Sequence, residues 1–185
     1  DGKPVRTASI PDAIAQRIAY VPEDRLTEGL FLDRSIEENI TLGAFDRLRG
    51  AFGFLDGAKI AAEASRWIAN LTIKAPDPEL PARSLSGGNQ QRIVLAKWLA
   101  TDPRILILNR PTVGVDVGAK YALHATIARV ADEGTAVIVI SDDYPELLAL
   151  CSRILVMDKG RIVEEVTPMP VPGSGNAAMP AEMRR

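Results

Sequence analysis

The residues best suited to chemistry are Ser86, Gly87 and Gly88, in the run Leu85-Ser86-Gly87-Gly88-Asn89-Gln90-Gln91-Arg92 that precedes the apolar Ile93-Val94-Leu95-Ala96-Lys97-Trp98-Leu99. A serine and two glycines opening a long helix present a hydroxyl and bare N–H groups at its N-terminus. The first four N–H groups of a helix find no carbonyl within it, and the helix dipole adds partial positive charge there. Such an end accepts phosphate, and glycine removes the Cβ that would stand in the way. The expected chemistry is a grip on the terminal phosphate of a nucleotide. The same residues also suit an ordinary cap with Ser86 as the capping side chain.

The elements that must hold this run follow from periodicity and breakers. Pro11 to Gln16 reads as a short helix with proline in its first turn. Ile18-Ala19-Tyr20-Val21 reads as a short buried strand stopped by Pro22. Ser35-Ile36-Glu37-Glu38 is a capping box opening a helix through Ile40 and Leu42. Residues 43 to 57, rich in glycine and aromatics, read as a loop. Ala58 to Leu71 is amphipathic, with Ile60, Ala64, Trp67, Ile68 and Leu71 on one face, so Trp67 is a core residue. Pro76, Pro78 and Pro81 make an extended connector into the serine-glycine run.

Three apolar runs follow: Ile105 to Leu108, Val137 to Ile140 and Ile154 to Met157. Short, β-branched and without alternation, they read as strands buried on both faces. Helices over Val117 to Asp132 and Pro145 to Leu150 separate them, giving a βαβ series and a parallel sheet with right-handed crossovers. Asp158-Lys159-Gly160-Arg161 reads as a hairpin turn into an edge strand, Ile162 to Val166. From Thr167 the composition turns to Pro, Gly, Ser, Met and Ala without a period, which predicts a disordered tail. His124, the single histidine, lacks the second histidine a metal site would want.

Composition sets the class. At 185 residues, 46% hydrophobic and 25% charged, the chain suits one soluble domain with a real core. A formal net charge of −2 gives no reason to expect nucleic acid or an anionic membrane surface as a partner. The single cysteine, Cys151, excludes an internal disulfide, fits a reducing compartment and lies in an apolar stretch as a packing residue. No apolar run reaches the length of a membrane span, so membrane association is expected only through a partner. Asp1-Gly2 is a turn signal, which suggests a fragment of a longer protein.

Four stretches now point to a family. LSGGNQQR resembles the signature motif of ABC-transporter ATP-binding domains, in the form found in importers of the ribose, galactose and xylose type. YVPEDR (Tyr20 to Arg25), LILNRPTVGVDVGAK (Leu106 to Lys120) and ISDDYPELL with RILVMDKGRI (Ile140 to Ile162) agree with it in order and spacing. The resemblance is closest to the second of two ATP-binding halves fused in one polypeptide. It implies an α/β fold, a mostly parallel sheet flanked by helices as in P-loop NTPases, with a helical subdomain. The expected divisions are 1–34 for partial core, 35–101 for the helical subdomain and signature helix, 102–166 for the rest of the core and 167–185 for the tail.

The resemblance also says what is missing. ATP hydrolysis in this class needs a GxxxxGK[ST] loop whose lysine reaches the β and γ phosphates, and the sequence contains none. In the family that loop lies upstream. Asn109 and Arg110 stand where the family places the Mg²⁺-holding Asp and the water-polarising Glu. Asn109 brings no charge to the cation, and Arg110 cannot act as a base because its pKa lies above about 12. Arg110 would either stabilise phosphate charge or pair with a surface carboxylate. Glu23 replaces the family's γ-phosphate-sensing glutamine, and Asp142 replaces a histidine that contacts the γ-phosphate. Second halves of the sugar importers resemble this chain at both of those positions.

In the family the signature serves the site across a head-to-tail dimer. By that resemblance Ser86, Gly87 and Gly88 would contact the γ-phosphate of ATP held by a partner domain. Asn89 would reach the ribose, and Asp116 would lie on the dimer interface. The expectation is an ATP-binding portion of a sugar importer, unable to hydrolyse ATP alone, with ATP and Mg²⁺ held mainly by the partner domain or by the missing N-terminal part. Its partners would be another ABC ATP-binding domain and transmembrane permease subunits, at the cytoplasmic face of the membrane. Two other classes are a non-transport ABC ATPase, disfavoured by charge and the LSGGNQQ form, and a relic interaction module, favoured by Asn109-Arg110.

Overall fold

The computed structural model describes residues 4–168. Its helices are α1 (Ile10–Ala15), α2 (Ile36–Thr41), α3 (Gly57–Asn70), α4 (Gly87–Leu99), α5 (Val117–Asp132) and α6 (Tyr144–Leu150), and its strands are β1 (Ile18–Val21), β2 (Ile105–Asn109), β3 (Ala136–Ile140), β4 (Ile154–Asp158) and β5 (Arg161–Val166). The caps are those the residue types demand. Ser35 accepts from the Glu38 amide while the Glu38 carboxylate accepts from the Ser35 amide, closing the capping box. Asp56, Asp116 and Asp143 cap α3, α5 and α6 through their carboxylates.

β1, β2 and β3 form a parallel sheet in that order, with Ile18 beside Ile105 and Ile105 beside Ala136. The register brings Val21, Asn109 and Ile140, hence the loops that follow them, to one sheet end. That C-terminal end is where open α/β sheets bind ligands.

α4 is the helix around which the rest packs. Ile93, Val94, Leu95, Ala96 and Leu99 are buried on it, and even Gln90, Gln91 and Lys97 are taken out of solvent. Burying each large aliphatic side chain is worth roughly 1.5–3 kcal/mol, so the helix is fixed along its whole length. It shares one core with Ile36 and Ile40 of α2, Leu106 and Leu108 of β2, and Leu123, Ile127 and Val130 of α5. Half-buried Trp67 packs against that core, its indole N–H donating to Glu63 at 3.0 Å.

Three expectations are corrected. Ile154 to Met157 does not join the parallel sheet: β4 pairs with β5 in a separate antiparallel ribbon. The turn between them carries Lys159 at φ 46° and Gly160 at φ 78°, the paired positive φ of a two-residue hairpin, which returns the chain antiparallel. Nor are the strands buried on both faces. In β2 only Leu106 and Leu108 are sealed, and on β3 Ile138 and Ile140 are 51% and 50% exposed. β3 is one of the two edges of this sheet among the described residues, β1 being the other. Residues 43 to 57 are more ordered than a loop, with 3₁₀ turns over Leu42–Leu48 and Ala51–Gly53. The expected tail lies outside the described residues apart from Thr167 and Pro168.

Candidate functional site

The mouth of α4 opens to solvent at Ser86 and closes behind it. Ser86 is exposed and its side chain caps no backbone amide, so the capping alternative is not what the structure adopts. Instead the Ser86 hydroxyl accepts from the Asn89 amide nitrogen at 3.0 Å, while Asn89 accepts the Lys74 backbone amide at 2.9 Å. The hydroxyl is oriented by Asn89, with its proton bonded to no acceptor among the described residues. Gln90 N–H is bonded to the Ser86 carbonyl at 2.9 Å, leaving the amides of Gly87, Gly88 and Asn89 ahead of the first helical bond.

The two glycines also meet close neighbours within the chain. A Cβ on Gly87 would lie 2.8 Å from Arg25 Nη2 and 3.2 Å from the Gly114 carbonyl, and one on Gly88 would lie 2.9 Å from the Ala119 Cβ. Glycine at 87 therefore admits Arg25, and glycine at 88 admits α5. Arg25 donates to the Val113 carbonyl at 2.9 Å and the Gly114 carbonyl at 3.4 Å. Gly114, at φ 67°, takes a left-handed turn that suits glycine. Asp116 is exposed and accepts from the Ala119 amide at 2.9 Å as the cap of α5.

At the sheet end, Glu23, Arg110 and Asp142, the residues expected at catalytic positions, have found one another. Arg110 donates through Nη1 to Glu23 at 2.6 Å, and through Nη2 and Nε to Asp142 at 2.6 and 3.1 Å. The second pair is the two-pronged guanidinium–carboxylate fit. Asp142, then Glu23, hold the guanidinium still more firmly protonated than usual. Asn109 donates to the Tyr20 hydroxyl at 3.1 Å. Of the two roles open to Arg110, the structure adopts the carboxylate pairing. The cleft beside it, about 480 Å³, is lined by Tyr20, Glu23, Asp24, Arg25, Asn109 and Val113 among others.

This donor set does not fit Mg²⁺-ATP. Asn109 offers no negative charge, its amide nitrogen donates to Tyr20, and Arg110 sets a single positive charge against the two carboxylates of Glu23 and Asp142. An arginine bound to two acids has little charge left for phosphate. No hydrolytic step follows from these residues.

Behind the cluster lies a buried network that the sequence reading missed. Glu146, 1% exposed, accepts from Thr112 and Ser141 hydroxyls, each at 2.7 Å, and faces His124 Nε2 at 3.1 Å. Burial pushes its carboxyl pKa up, but the bonds from His124, Thr112 and Ser141 outweigh it and hold the value below the ordinary one. Next to it Lys120 pairs with Asp143, raising the lysine and lowering the acid. Among the described residues no group of three or more acidic, histidine or cysteine side chains is placed to hold a metal. Cys151 is half-buried, its thiol pKa raised by burial.

Comparison with known proteins fits this geometry. The ABC transporter family model matches residues 1–113. The chain belongs to that family. It is 45% identical to the ribose import ATP-binding protein RbsA of Geobacillus kaustophilus, with 88% of this chain aligned to 33% of that protein. It is 47% identical to the xylose import protein XylG of Pectobacterium atrosepticum, over 88% of this chain and 32% of the relative. The arabinose import protein AraG of Ralstonia nicotianae is 44% identical, over 90% and 34%. The chain thus spans about a third of the length of these relatives. Its fold resembles that of the bacterial ABC cassette MJ0796 in a dimeric structure, with a TM-score of 0.72 at 21% identity, over 87% of this chain and 68% of that one. The α/β cassette fold expected from the sequence is the one present.

Proposed function

We propose that this chain is a portion of the ATP-binding protein of a sugar-type ABC importer, serving through its signature and not through hydrolysis of its own. The observation that carries the proposal is the pairing of an open Ser86 with a closed local site. The Ser86 hydroxyl faces solvent at a helix mouth and is not spent as a cap, whereas Arg110 fastens Glu23 and Asp142 together. In this reading Ser86 and the amides of Gly87 and Gly88 meet the γ-phosphate of ATP held by a second ATP-binding domain. Asn89 orients the Ser86 hydroxyl, and a reach to the ribose would require it to give up the bonds to Ser86 and Lys74. Asp116 lies on the interface.

A phosphate loop, absent from the sequence, would come from another part of a longer polypeptide or from the partner. Bound Mg²⁺-ATP would supply the triphosphate and its counter-cation from that side. Dimeric MJ0796, described in a post-hydrolysis state with ADP and Pi, supports the two-domain arrangement by fold. The sugar-import names of the relatives support the transport role and a place at the cytoplasmic face, reached through permease subunits. No helix among the described residues is long and apolar enough to cross a membrane.

The test mixes the chain with a ribose-importer cassette that carries its phosphate loop and measures ATP hydrolysis. Stimulation by the native chain, lost in Ser86→Arg, is the expected outcome. No stimulation, or tight Mg²⁺-ATP binding by the chain alone, would overturn it. The first of those results would leave a purely structural interaction module, the reading that the arginine–carboxylate cluster otherwise favours.

A further inference from the structure

The segment carrying Glu23 and Arg25 and the segment carrying Arg110, Val113 and Gly114 are cross-linked twice, in opposite directions. Arg110 reaches from the second segment to the Glu23 carboxylate at 2.6 Å. Arg25 reaches from the first segment to the Val113 and Gly114 carbonyls at 2.9 and 3.4 Å. Each end of this double link continues into a further element. Arg110 also holds Asp142 after β3, and Arg25 Nη2 lies so close to Gly87 that a Cβ there would sit 2.8 Å from it and the guanidinium would have to shift. Asp142, Arg110, Glu23, Arg25 and Gly87 therefore form an unbroken line from the sheet end to the mouth of α4.

We propose that this reciprocal arginine clasp presets the signature, doing from within the chain the ordering that a nucleotide at the sheet end would otherwise do. Arg25 is then a positioning residue: it touches no reacting atom, but it fixes Gly87 against the Gly114 turn. The inference rests on the functional reading above, since it gives the signature something to be preset for.

Three observations support it. Arg110 spends three donors on Glu23 and Asp142, so its guanidinium is held from both sides without a ligand. The same α4 is anchored a second time to this segment, because buried Lys97 donates to the Gly29 carbonyl. Asp24, between the two clasp residues, caps the π-helical turn Arg25–Gly29 through the Leu26 and Thr27 amides, so the backbone from which Arg25 projects is itself held. A residue kept only for solubility would need none of this.

The experiment titrates the chain into the phosphate-loop-bearing cassette and follows ATP hydrolysis, with Arg25→Met, Arg25→Lys and Ser86→Arg alongside the native chain. Arg25→Met removes the donors and keeps most of the bulk. Its half-maximal concentration is expected to rise about tenfold, the weight of one charged hydrogen bond, while the plateau stays near native. Arg25→Lys, with one donor centre in place of a fork, is expected to fall between. In the chain alone, amide exchange at Gln90 and Gln91 should quicken in Arg25→Met, and added ATP should leave native exchange unchanged. Unchanged titration and exchange in Arg25→Met would overturn the clasp, and so would slowing of native exchange by ATP. If Arg25→Met fails to fold, Glu23→Gln breaks the other link and is judged by the same exchange readout. Loss of all stimulation in the native chain would sink the functional reading, and the exchange measurements would still decide the clasp.

Discussion

Arg110 and Asp142, thirty-two residues apart, meet because the sheet delivers them side by side: the Arg110 amide donates to the Ile140 carbonyl at 2.8 Å, and the guanidinium then closes on the carboxylate two residues further on. The arginine is an integral part of the local charge balance. Around it stand Glu23 and Asp142, with Asp24 nearby in the cleft.

Restoring the family's pair alone is therefore expected to fail. Arg110→Glu would set a third carboxylate between two others, and like charges at such range repel. In a longer polypeptide carrying a phosphate loop, Asn109→Asp with Arg110→Glu should give no gain in turnover and lower thermal stability. Adding Glu23→Gln and Asp142→His removes both repelling carboxylates and should return hydrolysis. Turnover measured for the double and quadruple variants decides this; a gain from the double variant alone would refute the charge argument.

Much of the fold was legible because local chemistry and tertiary demand agree. The β1 strand, the Ser35 capping box, the α5 boundaries and the Lys159-Gly160 turn each follow from a few neighbouring residues. The misplaced strand was β4, since a short apolar run looks the same in a buried parallel sheet and in a hairpin. The site was half legible. The motif positions named Ser86, Glu23, Asn109, Arg110 and Asp142, and the second option for Arg110 was the one adopted. What stayed hidden was long range: Arg25 to Val113, eighty-eight positions apart, and the burial of Glu146. Arg25 lies inside the YVPEDR stretch, and that was the one signal available. Gly87 and Gly88 showed the right residue type for a reason sequence could not supply, namely which neighbours press against them.

The Glu146 network makes stability pH-dependent with a definite sign. A carboxyl whose folded pKa lies below its unfolded value binds fewer protons folded than unfolded, so stability rises with pH across that interval. The contribution is fully present above the ordinary glutamate value of 4.5 and is lost as pH falls below it. Denaturant unfolding from pH 7 to pH 3 should show this loss. Glu146→Gln should flatten it and cost about 2 kcal/mol at pH 7, because two buried hydroxyls and His124 lose a charged acceptor. A pH profile identical in the variant would assign the acid sensitivity elsewhere.

The open side of β3 predicts self-association of the 185-residue chain. Its outer backbone groups are unpaired among the described residues, and Ile138 and Ile140 stand half exposed beside them. Such an edge templates pairing with another strand, and natural sheets blunt it with lysine. Sedimentation should show oligomers growing with concentration, and Ile138→Lys should weaken them at little cost to the core. Association undiminished by the lysine would place the contact on another surface, the β4–β5 ribbon with exposed Met157, Ile162 and Val163 being the next to test.

The contact between Gly88 and Ala119 offers the sharpest check on how α4 is seated. A Cβ at 88 would lie 2.9 Å from the Ala119 Cβ, closer than two methyl groups tolerate, and neither atom is the end of a flexible side chain. Gly88→Ala gains helix propensity of up to about 1 kcal/mol, yet overpacking costs about 1–3 kcal/mol, so net destabilisation is expected. Ala119→Gly opens the space but loosens the first turn of α5, at roughly 0.5–1 kcal/mol. If the clash is the cause, the double variant is more stable than the sum of the singles, with a coupling of about 0.5–3 kcal/mol. Strict additivity would mean that α4 and α5 slide apart freely at this point, and Gly88 would then owe its place to a ligand and not to α5.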